Sequence, residues 1–296
     1  MRVKPKIIKF VKMHNATVQQ VFGIKASPSS FEGVEKKLCI EIGPDFYSFC
    51  ISDLSGKQIY SFGYYHSNQP IEASQLQSLF HHENIKGFSF SDVILVHNRT
   101  EMALVPSAFH QPETAATILQ TIHGDLEELK VMEDDVHQWE LFNIYGWNLE
   151  ICTAVSEKFP QVRYVQFVTA SLRSLFKSLS IDKEQLLKVY FYQKTFTVIA
   201  LKDTQLQLAQ SFHFENPQDV IYHLLNLVDR LKLDLATVVV EVSGLLDIHS
   251  ETWKELNKFF IEVDIEAFSG IHQDANQTNE VPLHFYTPFL ISPRCV

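Results

Sequence analysis

One arrangement of strands, turns and a helix occurs twice in this chain, offset by about 150 residues, and it constrains the fold more than any other feature. Each copy has three short strands joined by tight turns, then a helix that begins near a proline, then a buried apolar run. At this offset Phe46, Asp53, Ser61 and Phe62 each meet an identical residue. The first copy occupies residues 38–42, 46–52, 58–65, 70–80 and 92–97, and the second 187–192, 196–201, 205–214, 216–231 and 237–242.

A meander followed by a helix and a further buried strand predicts a mixed sheet flanked by helices. With 296 residues, the chain has the length of about two domains. We therefore predict an α/β fold with an N-terminal arm at residues 1–34, a first domain at residues 35–170 and a second, similar domain at residues 171–296. Further strands are expected at residues 101–105, 138–145, 162–168 and 261–268, and further helices at residues 112–123, 147–159, 170–179 and 252–260.

The end of the chain shows a different pattern. Pro282, Pro288 and Pro293 predict that residues 281–296 hold only short extended pieces. Residues 270–280 are polar and predict an exposed loop.

The charge balance disfavours a nucleic-acid partner. The formal net charge is −10, whereas nucleic-acid binders usually carry a basic surplus. The exception is the arm, where five basic residues lie within residues 1–12 and no acidic residue occurs before Glu32. We favour a solvated terminal strand or tail, and contact with RNA or a membrane surface is the alternative. The basic residues are Arg2, Lys4, Lys6, Lys9 and Lys12.

Nothing in the sequence predicts export or insertion into a membrane. The arm lacks the apolar run of a signal peptide, and no window approaches 18 uninterrupted apolar residues. We expect a cytoplasmic protein with no integral membrane segment. Cys39, Cys50, Cys152 and Cys295 form no C-x-x-C pair, so we expect reduced thiols, with Cys39 and Cys50 facing each other across a hairpin.

No motif predicts a metal site or a catalytic nucleophile. Adjacent residues of a helix point apart, so His81 and His82 do not converge on one ion. The acidic run of residues 133–135 lacks the alternate spacing of a calcium loop and is expected to be a solvated turn. The sequence contains no H-E-x-x-H and no G-x-S-x-G. We therefore expect no metal and no cofactor.

Several segments together resemble a known architecture over roughly residues 35–292. In chain order they are Glu41-Ile42-Gly43, Val105-Pro106-Ser107, Phe159-Pro160, the meander around Asp203, and Val281-Pro282-Leu283-His284-Phe285. With the repeat, they make the chain similar to proteins of the actin-like ATPase superfamily, a duplicated ribonuclease H-like fold. The pilus-assembly and type II secretion cytoplasmic members are the nearest, and more narrowly the chain resembles a bacterial family of uncharacterised actin-like proteins.

This resemblance implies a nucleotide cleft between the two domains. In the superfamily, a D-x-G loop in the first hairpin of each copy holds Mg²⁺ through its aspartate and approaches the phosphates through its glycine. Here Glu41 and Gly43 stand in the first loop, and the offset of about 150 places Phe191 and Gln193 in the second. The adenosine-side glycine pair of the superfamily falls near Ser243-Gly244.

The resemblance therefore implies the fold of an ATPase with a degenerate site. We expect a protein that has lost ATP hydrolysis and acts in protein–protein interaction, through a protein partner or self-association that includes a homodimer. The alternative is a nucleotide-binding ATPase that uses Glu41, with Asp45 or Asp53 in support. Aromatic residues on both faces of the first meander predict that both faces are covered, by the protein's own helices or by a partner.

Overall fold

The structure, a computed structural model, describes residues 18–24, 33–124, 129–178, 184–267 and 281–296. The basic residues of the arm and the polar stretch of residues 270–280 lie outside the described residues. In the described part of the chain, no helix is long and apolar enough to cross a membrane.

Fourteen strands and seven α-helices make up the described chain. The strands are β1 (Val18–Ile24), β2 (Lys37–Ile42), β3 (Phe46–Ser52), β4 (Ile59–Ser67), β5 (Asp92–His97), β6 (Met102–Pro106), β7 (Leu129–Val136), β8 (Leu141–Asn148), β9 (Arg163–Gln166), β10 (Gln185–Phe191), β11 (Thr195–Lys202), β12 (Gln205–His213), β13 (Val239–Gly244) and β14 (Glu262–Ile265). The helices are α1 (Ala73–Phe80), α2 (Ala115–His123), α3 (Leu149–Lys158), α4 (Phe167–Ser178), α5 (Pro217–Leu231), α6 (Glu251–Phe259) and α7 (Thr287–Cys295).

Two mixed sheets share one strand order. The first runs β4-β3-β2-β5-β9 and the second β12-β11-β10-β13-β14, each with an antiparallel meander followed by two parallel strands. The first sheet has one more strand, because β1 pairs antiparallel with β4. The first sheet therefore begins at residue 18, inside the stretch predicted as an arm.

Burial on both faces explains why the central strands are apolar nearly throughout. Every residue of β2 and β3 is buried. Alternate side chains of β2 enter two different clusters, so Leu38 and Ile40 pack on the outer side with α1 and α3, while Cys39 packs on the side of α4 and α7. The expectation that both faces of the first meander are covered is confirmed.

The cysteine expectations are also confirmed. Cys39 lies directly opposite Cys50 in the hairpin, and all four cysteines are free thiols. Burial raises the pKa of Cys39 well above its usual value, which keeps this thiol protonated.

The hairpin loops fix the match between the two copies. Gly43 N donates to Phe46 O at 2.9 Å, and Tyr192 N donates to Thr195 O at 2.8 Å. These equivalent residues are 149 positions apart, and the strand pairing gives the same offset. The predicted placement of Gln193 at the position of Gly43 is therefore wrong, because Tyr192 stands there.

The same correction applies to the strand before the loop. Tyr190, not Phe191, occupies the position of Glu41. A shift of one residue turns a strand side chain to the opposite face of the sheet. Phe191 accordingly packs on the outer side, with α5 and α6, whereas Tyr190 faces α4 and α7 together with Glu41.

The C-terminal residues form a buried helix, so the prediction of short extended pieces is wrong. Pro288 lies in the first turn of α7, where its missing N–H costs nothing, and Pro293 lies in the last turn. Phe289 and Leu290 are at most 2% exposed between the two sheets, and this apolar burial outweighs the proline penalty. Lys37 Nζ holds the end of the helix by donating to Pro293 O at 3.0 Å.

A third, smaller sheet of order β6-β8-β7 follows β5 and carries α2. The acidic run predicted as a solvated turn lies in β7 instead. Asp134 is 8% exposed, and it accepts hydrogen bonds from Tyr145 Oη at 2.9 Å and from Gln166 N at 2.9 Å. These bonds tie the small sheet to the junction of β9 and α4.

Candidate functional site

Glu41 is a buried carboxylic acid near the carboxyl end of β2. It is 2% exposed and points to the side where α4 and α7 pack between the sheets. Its Oε1 accepts hydrogen bonds from Asn98 Nδ2 at 2.6 Å and from Tyr192 Oη at 3.0 Å. Its Oε2 has no hydrogen-bond partner in the described part of the chain. The acid therefore joins the two sheets through one oxygen.

The parallel pairing of β2 with β5 positions Asn98. Ile42 lies opposite His97, and Asn98 N donates to Ile42 O at 2.9 Å just beyond the end of β5. The side chain of Asn98 thus lies at the carboxyl edge of the sheet beside Glu41. This edge is where ligands of open α/β sheets usually bind.

Tyr192 fills the space between the two hairpin loops. Its ring stacks on Phe46 with the centroids 5.0 Å apart and the planes 13° from parallel. Phe289 and Phe167 meet the same ring edge-on at 5.5 and 5.7 Å. Tyr192 is 2% exposed. A bulky ring therefore stands where the superfamily pattern has a loop glycine.

The two glycines of the candidate site are needed for the chain's own packing. A Cβ on Gly43 would lie 2.0 Å from the ring of Phe46. Gly244 has φ of +88°, and a Cβ there would lie 2.1 Å from Phe191 O. Both positions thus require glycine without any bound phosphate.

The remaining predicted site residues do not converge on Glu41. Gln193 is exposed at the tip of the second hairpin. Asp45 is half-buried, with Oδ2 3.9 Å from His66 Nδ1. Ser243 is buried opposite Tyr190 in the ladder of β10 and β13. The structure brings Glu41 and Gly43 to one place and leaves these three apart from the acid's hydrogen bonds.

Burial without a paired cation dominates the electrostatics of Glu41. Burial raises the pKa of Glu41 to about 7, and the hydrogen bonds from Asn98 and Tyr192 oppose this shift. No lysine or arginine in the described ranges pairs with this acid. Nearby, burial lowers the pKa of His97 to about 3, so its imidazole is neutral. The described residues contain no group of three or more His, Cys, Asp or Glu side chains that could hold a metal ion.

Sequence reasoning missed Tyr192, Asn98 and Phe289 as members of this site. Tyr192 has no sequence signal, because the loop hydrogen bonds that place it opposite Gly43 appear only in the structure. Asn98 directly follows the buried strand β5. A polar residue at that position is a signal that can be recognised in the sequence. Phe289 carries no such signal, because its segment was not expected to be helical.

Comparison with known proteins supports this architecture. The profile of a family described as "Protein of unknown function (DUF3822)" matches residues 29–263. No protein with curated annotation matches the chain. A Bacteroides thetaiotaomicron protein with actin-like ATPase fold and unknown function superposes with a TM-score of 0.68 and 20% identity, over 78% of this chain and 91% of that one.

A second solved structure, the PilM-PilN type IV pilus biogenesis complex, superposes with a TM-score of 0.58 and 10% identity, over 88% of this chain and 98% of that one. Identities this low establish the fold alone. The predicted resemblance to the actin-like fold, and to pilus-assembly proteins within it, is confirmed.

Proposed function

This chain belongs to the DUF3822 family of actin-like α/β proteins, and we propose that it is a non-catalytic member that works through protein–protein interaction. The observation that carries the proposal is the side chain of Tyr192. Its ring lies between the hairpin loops, and its hydroxyl donates to Glu41. The acid that would face Mg²⁺ in an actin-like ATPase is bound instead to the protein's own second loop.

A bound nucleotide would first have to displace this ring. Removing Tyr192 breaks its hydrogen bond to Glu41 and its stack on Phe46, together worth about 2–4 kcal/mol. Mg-ATP carries about −2 charge and needs dipoles or cations aimed at its phosphates. No lysine or arginine of the described ranges pairs with Glu41, so the surroundings of this acid supply no cation aimed at the phosphates.

A protein partner is the second half of the proposal. PilM, which has the same fold, is found in a complex with PilN. The present chain keeps a well-packed architecture, and the ring of Tyr192 fills the space between its hairpin loops. Its surface, rather than a cleft, is then the part of the molecule that would act. A protein–protein role needs a stable surface and no open cleft.

The alternative function is a nucleotide-binding ATPase that uses Glu41. It is favoured by the position of Glu41 and Asn98 at the carboxyl edge of the first sheet, and by the unpartnered Oε2 of the acid. It requires Tyr192 to swing out, so that Gly43 and Glu41 face solvent.

A thermal-shift titration with ATP and Mg²⁺, run beside a phosphate-release assay, separates these functions. Ligand that binds only the folded state raises the melting temperature with concentration. We expect no concentration-dependent shift and no phosphate release for the wild-type chain. A saturable shift with turnover, both lost in Glu41→Ala and kept in the matched surface variant Glu113→Ala, would establish the ATPase instead.

A further inference from the structure

The outer strand of the second sheet, β12, has no neighbour on one side within the described residues. It spans nine residues, Gln205–His213, and is the longest edge strand of the three sheets described. In the first sheet the equivalent strand is β4, and β1 covers its edge from Val18 to Ile24. The second sheet thus lacks a strand at the position where the first has one.

The hydrogen-bonding groups of this edge alternate in direction. Phe214 N donates to Lys194 O across the hairpin, at the end of β12. Every second residue of an antiparallel strand points its N–H and C=O to the same side. Phe212, Gln210 and Leu208 therefore pair with β11. By the same alternation the backbone groups of Ala209 and Ser211 point away from the sheet, toward a strand that would add to it.

The side chains of β12 lack the charges and prolines that usually protect an edge. Proteins block free edges with charges, prolines, bulges or very short strands. β12 contains no Asp, Glu, Lys, Arg or Pro, and its bulge between Leu206 and Leu208 leaves Leu208–His213 as a regular edge. Among the other edges of the described sheets, β7 and β14 carry acidic residues, β9 carries an arginine in four residues, β6 ends at a proline, and the bulge of β1 lies at its middle, between Gln20 and Phe22.

The lack of charged residues in β12 also indicates which kind of strand can pair with its free edge. A chain with a net charge of −10 repels its own copy wherever acidic surfaces meet. An antiparallel pairing of β12 with the β12 of a second copy brings together glutamine, leucine, alanine, serine, phenylalanine and histidine side chains and no Asp, Glu, Lys or Arg. The β12 strand of a second copy has the same length as the first and also carries no Asp, Glu, Lys or Arg. Pairing about a two-fold axis uses both edges, so the assembly stops at a dimer.

We propose that two copies of this chain pair antiparallel through β12, joining their second sheets into one continuous sheet of ten strands. The exposed ring of Tyr222, on the helix α5 that covers this sheet, adds apolar surface close to the edge, since the ring of its neighbour His223 packs against Phe212 of β12 with the centroids 4.5 Å apart. This inference rests on the proposed interaction function, for which it names a second copy as the partner.

The mass of the full chain in solution tests the pairing. Light scattering during gel filtration should give twice the 34.1 kDa chain mass at tens of micromolar, falling toward the monomer on dilution. Ser211→Pro removes an outward N–H from each copy and should weaken association by roughly tenfold or more. Ser211→Ala is its matched control, because it loses the same hydroxyl bond to Thr197 yet keeps the N–H, and it should remain dimeric.

A second pair of variants covers the case in which proline unfolds the strand. Gln210→Lys places an exposed cation beside its copy and should give monomer, whereas Gln120→Lys on α2 adds the same charge elsewhere and should not. A wild-type chain that stays monomeric at hundreds of micromolar, or a dimer unchanged by Gln210→Lys, overturns the pairing. A monomer that still ignores Mg-ATP would leave the proposed function standing with a different partner.

Discussion

Replacing Glu41 by glutamine should make the protein more stable at alkaline pH and leave it nearly unchanged at acid pH. In the folded state the pKa of Glu41 is raised to about 7 from an ordinary 4.5, mainly because burial disfavours the charged carboxylate. Between these values the folded state holds a proton that the unfolded state has released. The free energy of unfolding contributed by Glu41 is therefore greatest below pH 4.5 and is lost as the pH rises through 7.

The size of the effect follows from the two pKa values. Each unit of pKa difference corresponds to about 1.4 kcal/mol, so the shift of Glu41 corresponds to about 3 kcal/mol of stability lost between pH 4.5 and 7. Glutamine cannot ionise, and its amide oxygen still accepts from Asn98 or Tyr192. Glu41→Gln should thus gain up to about 3 kcal/mol over wild type at pH 8.

Urea unfolding of both proteins at several pH values from 4.5 to 8 measures this difference. His97, whose pKa is lowered to about 3, adds an opposite slope below pH 6.5, but it is present in both proteins and cancels in the comparison. Glu113→Gln, at an exposed position, is the matched control and should follow wild type. Parallel profiles for wild type and Glu41→Gln would refute the buried, cation-free site.

Three further changes test the packing around the site by urea unfolding at neutral pH. Tyr192→Phe removes the donor to Glu41 while keeping the ring, and should cost about 1–3 kcal/mol. Phe289→Ala opens a cavity between the sheets and should cost about 3–5 kcal/mol, far more than the exposed Phe109→Ala. Asp134→Ala leaves Tyr145 Oη and Gln166 N without their acceptor and should cost about 3 kcal/mol, whereas the neighbouring exposed Asp135→Ala should cost little.

Local patterns were enough to predict most elements of the fold. The paired meanders appear where turn residues and apolar runs indicated them, and α5 begins at Pro217, near a proline as predicted, with Asn216 as its cap. The two sheets share a strand order, as two similar domains would. Local patterns were sufficient for the helices and the meanders, because helices satisfy their hydrogen bonds internally and the strands of each meander pair with the next strand in the chain.

The failures have a common physical cause, which is contact between distant segments. The helix α7 forms despite Pro293 because Phe289 is buried between sheets that come from elsewhere in the chain. Asp134 was expected in solvent, yet it is buried because Tyr145 and Gln166 bind it. Neither the burial nor the binding partners can be read from the surrounding sequence.

The candidate site was predicted in part. Glu41 and Gly43 were placed correctly at the first loop. The second loop was misaligned by one residue, because sequence identities set an offset of 150, whereas the two hairpins match in the structure at 149. Because of this error, the exposed Gln193 was assigned to the loop position that the buried Tyr192, bound to Glu41, occupies in the structure. The conclusion of a degenerate loop remains a proposal, with Tyr192 as its new support.

A crystal structure grown with millimolar Mg²⁺ and a non-hydrolysable ATP analogue tests the central claim most directly. The account predicts the ring of Tyr192 still stacked on Phe46, its hydroxyl still donating to Glu41, and no nucleotide between the hairpin loops. A structure with the phosphates lying against Gly43, Mg²⁺ bound through Glu41, and the Tyr192 ring displaced would contradict it.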